Sequence, residues 1–586
     1  MVTAIHTCHT RRTRRTWLLI SLAAGLGASC TGVVSPSKGN GGTSGGGSIS
    51  GGGGSGSTTG AGGAGGPEAA YLPARVRRIT NAEYDASVKA LLGTALTPSA
   101  QFSFPPDSRQ GPTSSPAGPA FTLNDAQRVD PVLADKLDTA ALALVAEARA
   151  NGKLAALAPC ANPTGSAGEA CAKTFVQSFG AKVYRRPLVD EEINGLVVGA
   201  TSVYHVGADG YTYDDGIGVL TRVLLQSAGF LYITEIGDVG AGATFTLAPA
   251  EIATSMSYLL TAGPPDDTLA ANATAGMLAT AAGREQEARR LIATAAGRAR
   301  MVRVVREWLG IDDVAHREKA ATVYPGFAAA GAAMEAESTN FINEVVTNSS
   351  GTISELLSAD WTIIDPALAS VYGVTSAGAG QRTSLAGVGR RGILNQAAFL
   401  SVFATNNGSH PVFRGVSLMR RVACLNVRDP GVVGIVVSFP ATDPMKTTRG
   451  RFEEHARDAG CASCHASIDP FGFAFEGYDG MGQARTTENN MSVDTRVTIT
   501  AGADFDGTYA DSNALAAALA ASPSVRTCLA RQLFRSSAGR SDATVAASEN
   551  AFVDLWKELP ADQQGRLVDV LIAFVRSPLF VQRRTP

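Results

Sequence analysis

The sequence is poor in charge, in aromatic side chains and in histidine. Charged residues make up 17% of its 586 positions, and 50 basic against 52 acidic side chains leave a formal net charge of -2. No basic excess is available to neutralise phosphates, so neither nucleic acid nor an anionic membrane surface is expected as an electrostatic partner. Beyond the first thirty residues no apolar run approaches the roughly 20 residues of a spanning helix, and one of the most apolar, residues 432–439, is far shorter. Phosphate-binding and hydrolase signatures are missing too: there is no P-loop, no H-E-x-x-H, and no G-x-S-x-G with credible triad partners.

With seven histidines and eight cysteines in the chain, their spacing carries information. Cys461, Ala462, Ser463, Cys464 and His465 form a C-x-x-C-H motif. Two thiols one helical turn apart reach the two vinyl groups of one porphyrin edge, and the adjoining imidazole then lies beneath the iron. At this composition a chance match has an expectation of roughly 0.001. The motif therefore predicts a covalent haem c on Cys461 and Cys464, with His465 as the proximal iron ligand. Two other readings stand beside it. The C-x-x-C can be a redox disulfide, or His455, Cys461, Cys464 and His465 can form a four-ligand metal site. His455, Met481 and Met445 are candidates for the sixth iron position. A bound ligand there closes the iron for electron transfer, whereas an open position admits peroxidase or oxygenase chemistry.

Downstream, Phe471, Phe473 and Phe475 fit a porphyrin wall and a core patch equally well. Asp469, Glu476 and Asp479 admit a calcium or acid–base reading, but turn and capping roles are preferred, because Pro470, Gly480 and Gly482 punctuate the same stretch.

The N-terminus reads as an export signal. Arg11, Arg12, Arg14 and Arg15 precede an apolar run over residues 17–28. Leu26, Gly27, Ala28, Ser29 and Cys30 resemble a bacterial lipobox, with Gly27 where a branched residue is usual, so Cys30 is the expected lipidation site and the membrane is reached through that lipid. Residues 39–66 are almost pure Gly, Ser, Thr and Ala, a composition that cannot bury enough surface to fold; as a coil they would span about 30 Å. The protein is expected to be exported, as an outer-membrane or cell-surface lipoprotein facing the periplasm or the exterior. An oxidising compartment permits two disulfides among Cys160, Cys171, Cys424 and Cys528. Cys160–Cys171 with Cys424–Cys528 is preferred, since the first pair closes a short loop rich in Pro, Gly and Ala.

Hydrophobic periodicity gives a mainly α fold. Thr80 and Glu83 fit a capping box that opens a helix with Tyr84, Val88, Leu91 and Leu92 on one face and Gly93 as its stop. Helices are predicted over 125–150, 170–184, 216–227, 249–260, 284–309, 333–346 and 392–403, with strands at 230–236 and 495–499. The 170–184 helix is broken at Arg185, Arg186 and Pro187, where the arginines read as a solvated helix end and Asp190 as the next cap.

Several of these stretches recur together in one family. Arg78, Ile79, Thr80, Asn81, Ala82, Glu83 and Tyr84, then Val183, Tyr184, Arg185, Arg186, Pro187 and Leu188, then segments 247–267, 306–310 and 356–374, precede Arg391, Gly392, Ile393, Leu394, Arg414, Gly415 and the C-x-x-C-H motif. A closing region, 514–584, contains Cys528, Leu533, Phe534, Gly539, Arg540 and Ser577 to Phe580. On these residues the chain resembles the large secreted cytochrome-like proteins of planctomycetes and myxobacteria, which string several domains of unknown function around one C-x-x-C-H segment. Ser255 and Thr261 stand where the family usually has arginine and tryptophan, and His410 replaces a small hydroxyl residue.

The resemblance implies export, architecture and haem, and no particular reaction; whether the protein is an enzyme is left open. The expected organisation is a signal peptide (1–30), a tether (31–70), helical domains at 71–160, 161–245 and 246–385, a haem-type domain at 386–490 and a C-terminal helical domain at 491–586. The expected fold is thus a multidomain helical protein with short β segments and a c-type-cytochrome-like C-terminal region. Its expected role is electron transfer to or from an unknown redox partner. The competing class is a non-redox surface binding or structural protein in which the motif is a disulfide or metal staple.

Overall fold

Local chemistry sets most helix boundaries. The Thr80 hydroxyl accepts the Glu83 N–H, and the Glu83 carboxylate accepts the Thr80 N–H; together they start the helix Asn81–Leu92, which ends at Gly93 in the left-handed region, φ 65°. The helix expected from residue 125 begins later, as Pro131–Ala150. Asp130 accepts the Leu133 N–H there, and Pro131 takes the first helical position, where its missing N–H is not needed. The stretch 284–309 forms two helices, Ala281–Ile292 and Ala295–Leu309, because the Thr294 side chain caps the Gly297 N–H and restarts the chain. Residues 392–403 divide into a 3-10 turn, Ile393–Asn395, and a short helix, Ala397–Val402. A Cβ on Gly392 would lie 1.9 Å from the Leu357 carbonyl oxygen, so the chain turns at a glycine pressed against another backbone.

The computed structural model describes residues 70–585 apart from 111–120, 123–126, 162, 164, 199–201, 205–210, 238–241, 429–438, 458 and 541–544. The expected signal peptide, Cys30, the expected tether apart from Ala70, and most of the apolar run at 432–439 lie outside the described residues. The described residues belong to one contact unit. Its strands are short. Arg75–Arg78 pairs antiparallel with Tyr232–Glu235, inside the expected 230–236 strand, and Val497–Ile499 pairs with Gly507–Tyr509. Leu72–Pro73 runs parallel to Gln582–Arg584, which in turn pairs antiparallel with Thr244–Thr246. Among the described residues no helix is long and apolar enough to cross a membrane.

Two hydrophobic cores hold these elements. One gathers Ile79, Tyr84, Leu144, Phe175 and Phe230 from residues 79–233, and takes in Tyr258. The other runs without interruption from Leu72 and Phe245 through Trp308, Phe399 and Phe471 to Phe534 and Phe580. The segments 246–385, 386–490 and 491–586 therefore share one core. Both expected disulfides are formed, Cys160–Cys171 over a separation of 11 residues and Cys424–Cys528 over 104.

Arg185 differs from its expected role. It adopts φ 60° at the end of Ala181–Tyr184 and is buried, donating to the carbonyls of Val183, Phe230, Gly229 and Tyr232. The left-handed turn places the guanidinium among these four carbonyls, so it is a core clamp and not a solvated helix end. Arg186 stays outside and pairs with Glu192. A comparable clamp joins distant chain segments: Arg75, Arg583 and Arg540 converge on buried Glu235 at 3.1, 2.9 and 3.8 Å. Burial alone would raise the Glu235 pKa; the arginines, Arg583 foremost, outweigh it and hold the carboxyl well below the usual range.

Candidate functional site

Cys461, Cys464 and His465 lie on one helix, Ala459–Phe473. Its second half is fixed by close backbone packing on the helix Pro411–Ser417. A Cβ on Gly472 would stand 1.9 Å from the Pro411 carbonyl oxygen, and one on Gly415 would stand 2.6 Å from that of Ile468. Neither position tolerates a side chain, and the motif end of the helix is thereby held by a rigid seam one to two turns away. Cys461 and Cys464 are half-buried and not bonded to each other, and Cys464 packs on the core.

The His465 Nδ1 lies 2.8 Å from Oδ1 of buried Asp469, one helical turn on. A carboxylate only accepts, so Nδ1 carries the proton and Nε2 presents its lone pair. This is the carboxylate–histidine arrangement found behind metal-binding imidazoles, where the carboxylate fixes the tautomer and raises ligand basicity. Burial pushes the Asp469 carboxyl up, against the opposing hydrogen bond from His465. Asp469 is thus the orienting partner of His465 and not a turn or capping group. The i, i+4 spacing on a helix was the sequence signal for it.

A cleft of about 630 Å³ opens beside His465, lined by Arg449, Arg457, Asp469, Phe473 and Arg496 among others. Neither cysteine lines it. Ala462, between the two cysteines, and Ala466, after the histidine, do line it, so the cleft runs along the motif turn of the helix. Arg449 is committed, since it donates to the carbonyls of Asp494 and Arg496, pairs with Glu453 and lies 5.0 Å over the Phe473 ring. Exposed Arg457 and Arg496 make no ion pair among the described residues, which leaves two guanidinium groups for carboxylates such as porphyrin propionates. These residues fit a haem held through Cys461, Cys464 and His465.

Of the sixth-ligand candidates, His455 closes the helix Thr448–His455 with its ring centroid 5.4 Å from that of His465 and the planes at 82°. Met481 is buried in the turn after the motif helix, where its N–H donates to Asp479, and Met445 is 79% exposed. Among the described residues no three His, Cys, Asp or Glu side chains are gathered closely enough to hold a metal ion, so the four-ligand set of His455, Cys461, Cys464 and His465 is not assembled.

The phenylalanines are core: Phe475 packs on Phe399 and Phe471 on Phe505, and Phe473 is the one that also borders the cleft. Glu476 departs from the capping role expected of it. It is buried, accepts from Ser409 and Arg485 at 2.8 Å each and faces Arg414 at 3.6 Å. Asp479 does serve a turn, accepting the N–H groups of Met481 and Gln483. His410 caps the helix Pro411–Ser417, its Nδ1 accepting the Phe413 N–H at 3.1 Å. A serine or threonine oxygen would accept the same proton, which explains physically how histidine can stand in for a hydroxyl residue.

Comparison with known proteins places three family models in tandem on the chain. Residues 171–235 match PSD5, a protein of unknown function (DUF1595); residues 247–374 match PSD4, of unknown function (DUF1592); and residues 390–488 match PSCyt3, of unknown function (DUF1588). The three matches in this order support the resemblance to the multidomain cytochrome-like family, and the third encloses the C-x-x-C-H segment. No curated protein and no solved structure matches.

Proposed function

We propose that the protein is an exported, lipid-anchored, c-type-cytochrome-like electron carrier. In this reading Cys461 and Cys464 would hold one haem c as thioethers, and His465 and His455 would supply imidazole nitrogens to its iron. The observation that carries the reading is the His465–Asp469 hydrogen bond beside two unbonded thiols on one helix. The PSCyt3 match over residues 390–488 is consistent with it.

When bound, the haem supplies one-electron oxidation and reduction. The chain's own residues do the rest. Asp469 holds the proton on His465 Nδ1 and keeps Nε2 directed away from it, and Arg457 and Arg496 offer charge to the propionates. The Gly415–Gly472 seam keeps the helix from shifting, which limits reorganisation. His455 would close the iron to oxygen and peroxide and favour outer-sphere transfer to a redox partner. Cys30 would tether the body to a membrane through its lipid, with the Gly- and Ser-rich segment as spacer.

The test is an intact mass and a reduced absorption spectrum of protein produced in a periplasm that matures c-type cytochromes. A mass increment of one haem with a low-spin spectrum is expected, and the Cys461→Ala, Cys464→Ala double variant should lose it. Apoprotein from cells that mature a control cytochrome, or covalent haem at full occupancy in the double variant, would sink the reading. A high-spin spectrum would displace His455 and favour an open, reactive iron.

A further inference from the structure

Distant parts of the chain meet around a small cavity. Arg77 and Glu83 line it from the N-terminal side, Leu259 and Arg300 from the middle of the chain, and Ser536 and Arg583 from the C-terminal side. At about 50 Å³ it has room for about three to five waters. It shares no lining residue with the cleft beside His465.

Most of the charge around it is engaged. Arg77 donates to both carboxylate oxygens of Glu83, at 2.8 and 2.9 Å, and Arg583 pairs with Glu235, which also accepts from Ser255 at 3.2 Å. Arg300 differs. Its Nε donates to the Leu259 carbonyl at 3.2 Å, which fixes the head of the side chain at the cavity wall. Its two terminal nitrogens make no hydrogen bond and no ion pair among the described residues, and solvent reaches them. Glu83 and Glu307 act on this guanidinium from beyond ion-pair distance, because Glu83 is committed to Arg77 and Thr80, and Glu307 to Arg303 and Thr122.

Burial, then Arg303, push the Arg300 pKa down from its ordinary value, against the pull of those two carboxylates. A second donor stands on the same cavity. Ser536 is 5% exposed, and its hydroxyl has no partner among the described residues while remaining within reach of solvent. A confined charge without a counter-charge is costly, and water in the cavity solvates Arg300 without neutralising it. The planar fork of a guanidinium matches the paired oxygens of an oxyanion.

We infer that this cavity binds a small oxyanion through the Arg300 fork and the Ser536 hydroxyl. Phosphate, sulfate and a simple carboxylate share the chemistry, and the volume confines the ligand to a few heavy atoms. Bound among segments from both sides of the chain, it ties them together and stabilises the fold. The inference stands independently of haem.

Isothermal titration calorimetry on the full chain tests it, with inorganic phosphate, sulfate and acetate as probes and sodium chloride holding the ionic strength constant. Saturable one-to-one binding of at least one of the three is expected, and their order distinguishes a tetrahedral anion from a carboxylate. Arg300→Met keeps the stem and removes the fork, so affinity should fall about tenfold. Ser536→Ala deletes a hydroxyl without a protein partner, so its affinity should fall about threefold while the melting temperature without ligand holds. Arg186→Ala, at the surface and away from the cavity, should bind as wild type does. Binding of none of the three, unchanged affinity in Arg300→Met, or an equal fall in Arg186→Ala would each overturn the inference; if Arg300→Met does not fold, unchanged affinity in Ser536→Ala overturns it.

Discussion

At the scale of single residues, two buried carboxyls illustrate how environment assigns a task. Asp469 is placed to orient His465, and its charge should favour the oxidised state of an iron bound there. Asp469→Asn keeps the shape and removes the anion. With haem bound as proposed, this variant is expected to show a midpoint potential raised by on the order of 50 mV, a tenfold change in a one-electron equilibrium being about 59 mV; potentiometric titration reads this directly. Glu337 has no such partner to a metal. It is buried, accepts from Thr362 and Tyr372 at 2.8 and 2.7 Å, and burial raises its pKa to about 7, those hydrogen bonds notwithstanding. Its folded pKa exceeds the ordinary 4.5, so the stability it contributes is complete below about pH 4.5 and is lost as pH rises through about 7. The span corresponds to about 3 kcal/mol. Glu337→Gln, which mimics the neutral form, should flatten the fall in melting temperature between pH 5 and about 8. A slope equal to that of wild type would show that Glu337 is ionised in the fold throughout.

At the scale of elements, the motif helix is positioned by what it lacks. Gly472 and Gly415 let it approach Pro411–Ser417 backbone to backbone, and the buried Arg414 guanidinium ties the chain after it by donating to the carbonyls of Phe475 and Tyr478. A methyl group at Gly472 has backbone in its way and no flexible neighbour to yield. Gly472→Ala should therefore cost about 1–3 kcal/mol or more, seen as a lower denaturation midpoint. Gly460→Ala, in the same helix and with nothing near its Cβ position, should cost nothing measurable. Equal stability of the two variants would mean that the seam is looser than it is described above.

At the scale of the molecule, long-range ties close the fold. Cys424–Cys528 spans 104 residues and joins the segment before the motif to the C-terminal helix Pro523–Ala538, whereas Cys160–Cys171 spans 11. Loop-closure entropy makes the long tie worth more, about 4–5 kcal/mol against about 3 kcal/mol. Paired Cys→Ser replacement should lower the melting temperature further at Cys424 and Cys528 than at Cys160 and Cys171, and the opposite order would refute this account. Glu235 acts at the same scale, because Arg75, Arg583 and Arg540 bring the two ends of the described chain onto one carboxylate. Its depressed pKa means that its contribution is present above the ordinary carboxylate range and lost as pH falls through the folded value, so Glu235→Gln should blunt acid unfolding and lower stability at neutral pH by about 3–5 kcal/mol.

The sequence by itself determined what is local. The Thr80–Glu83 capping box, the stop at Gly93, the strand at 232–235, the helical class and the pairing of cysteines were legible because each depends on neighbours in the chain or on simple closure. The C-x-x-C-H motif is likewise a local pattern of five residues, and the haem read from it is the proposal made above. Tertiary structure alone decided what distant residues do to one another. It turned Arg185 from a solvated end into a core clamp and Glu476 from a cap into a buried ion pair, and brought His455 to His465. None of these follows from spacing, because burial and the approach of a partner as far as 67 residues away set the cost of a charge, and neither is written in a local pattern.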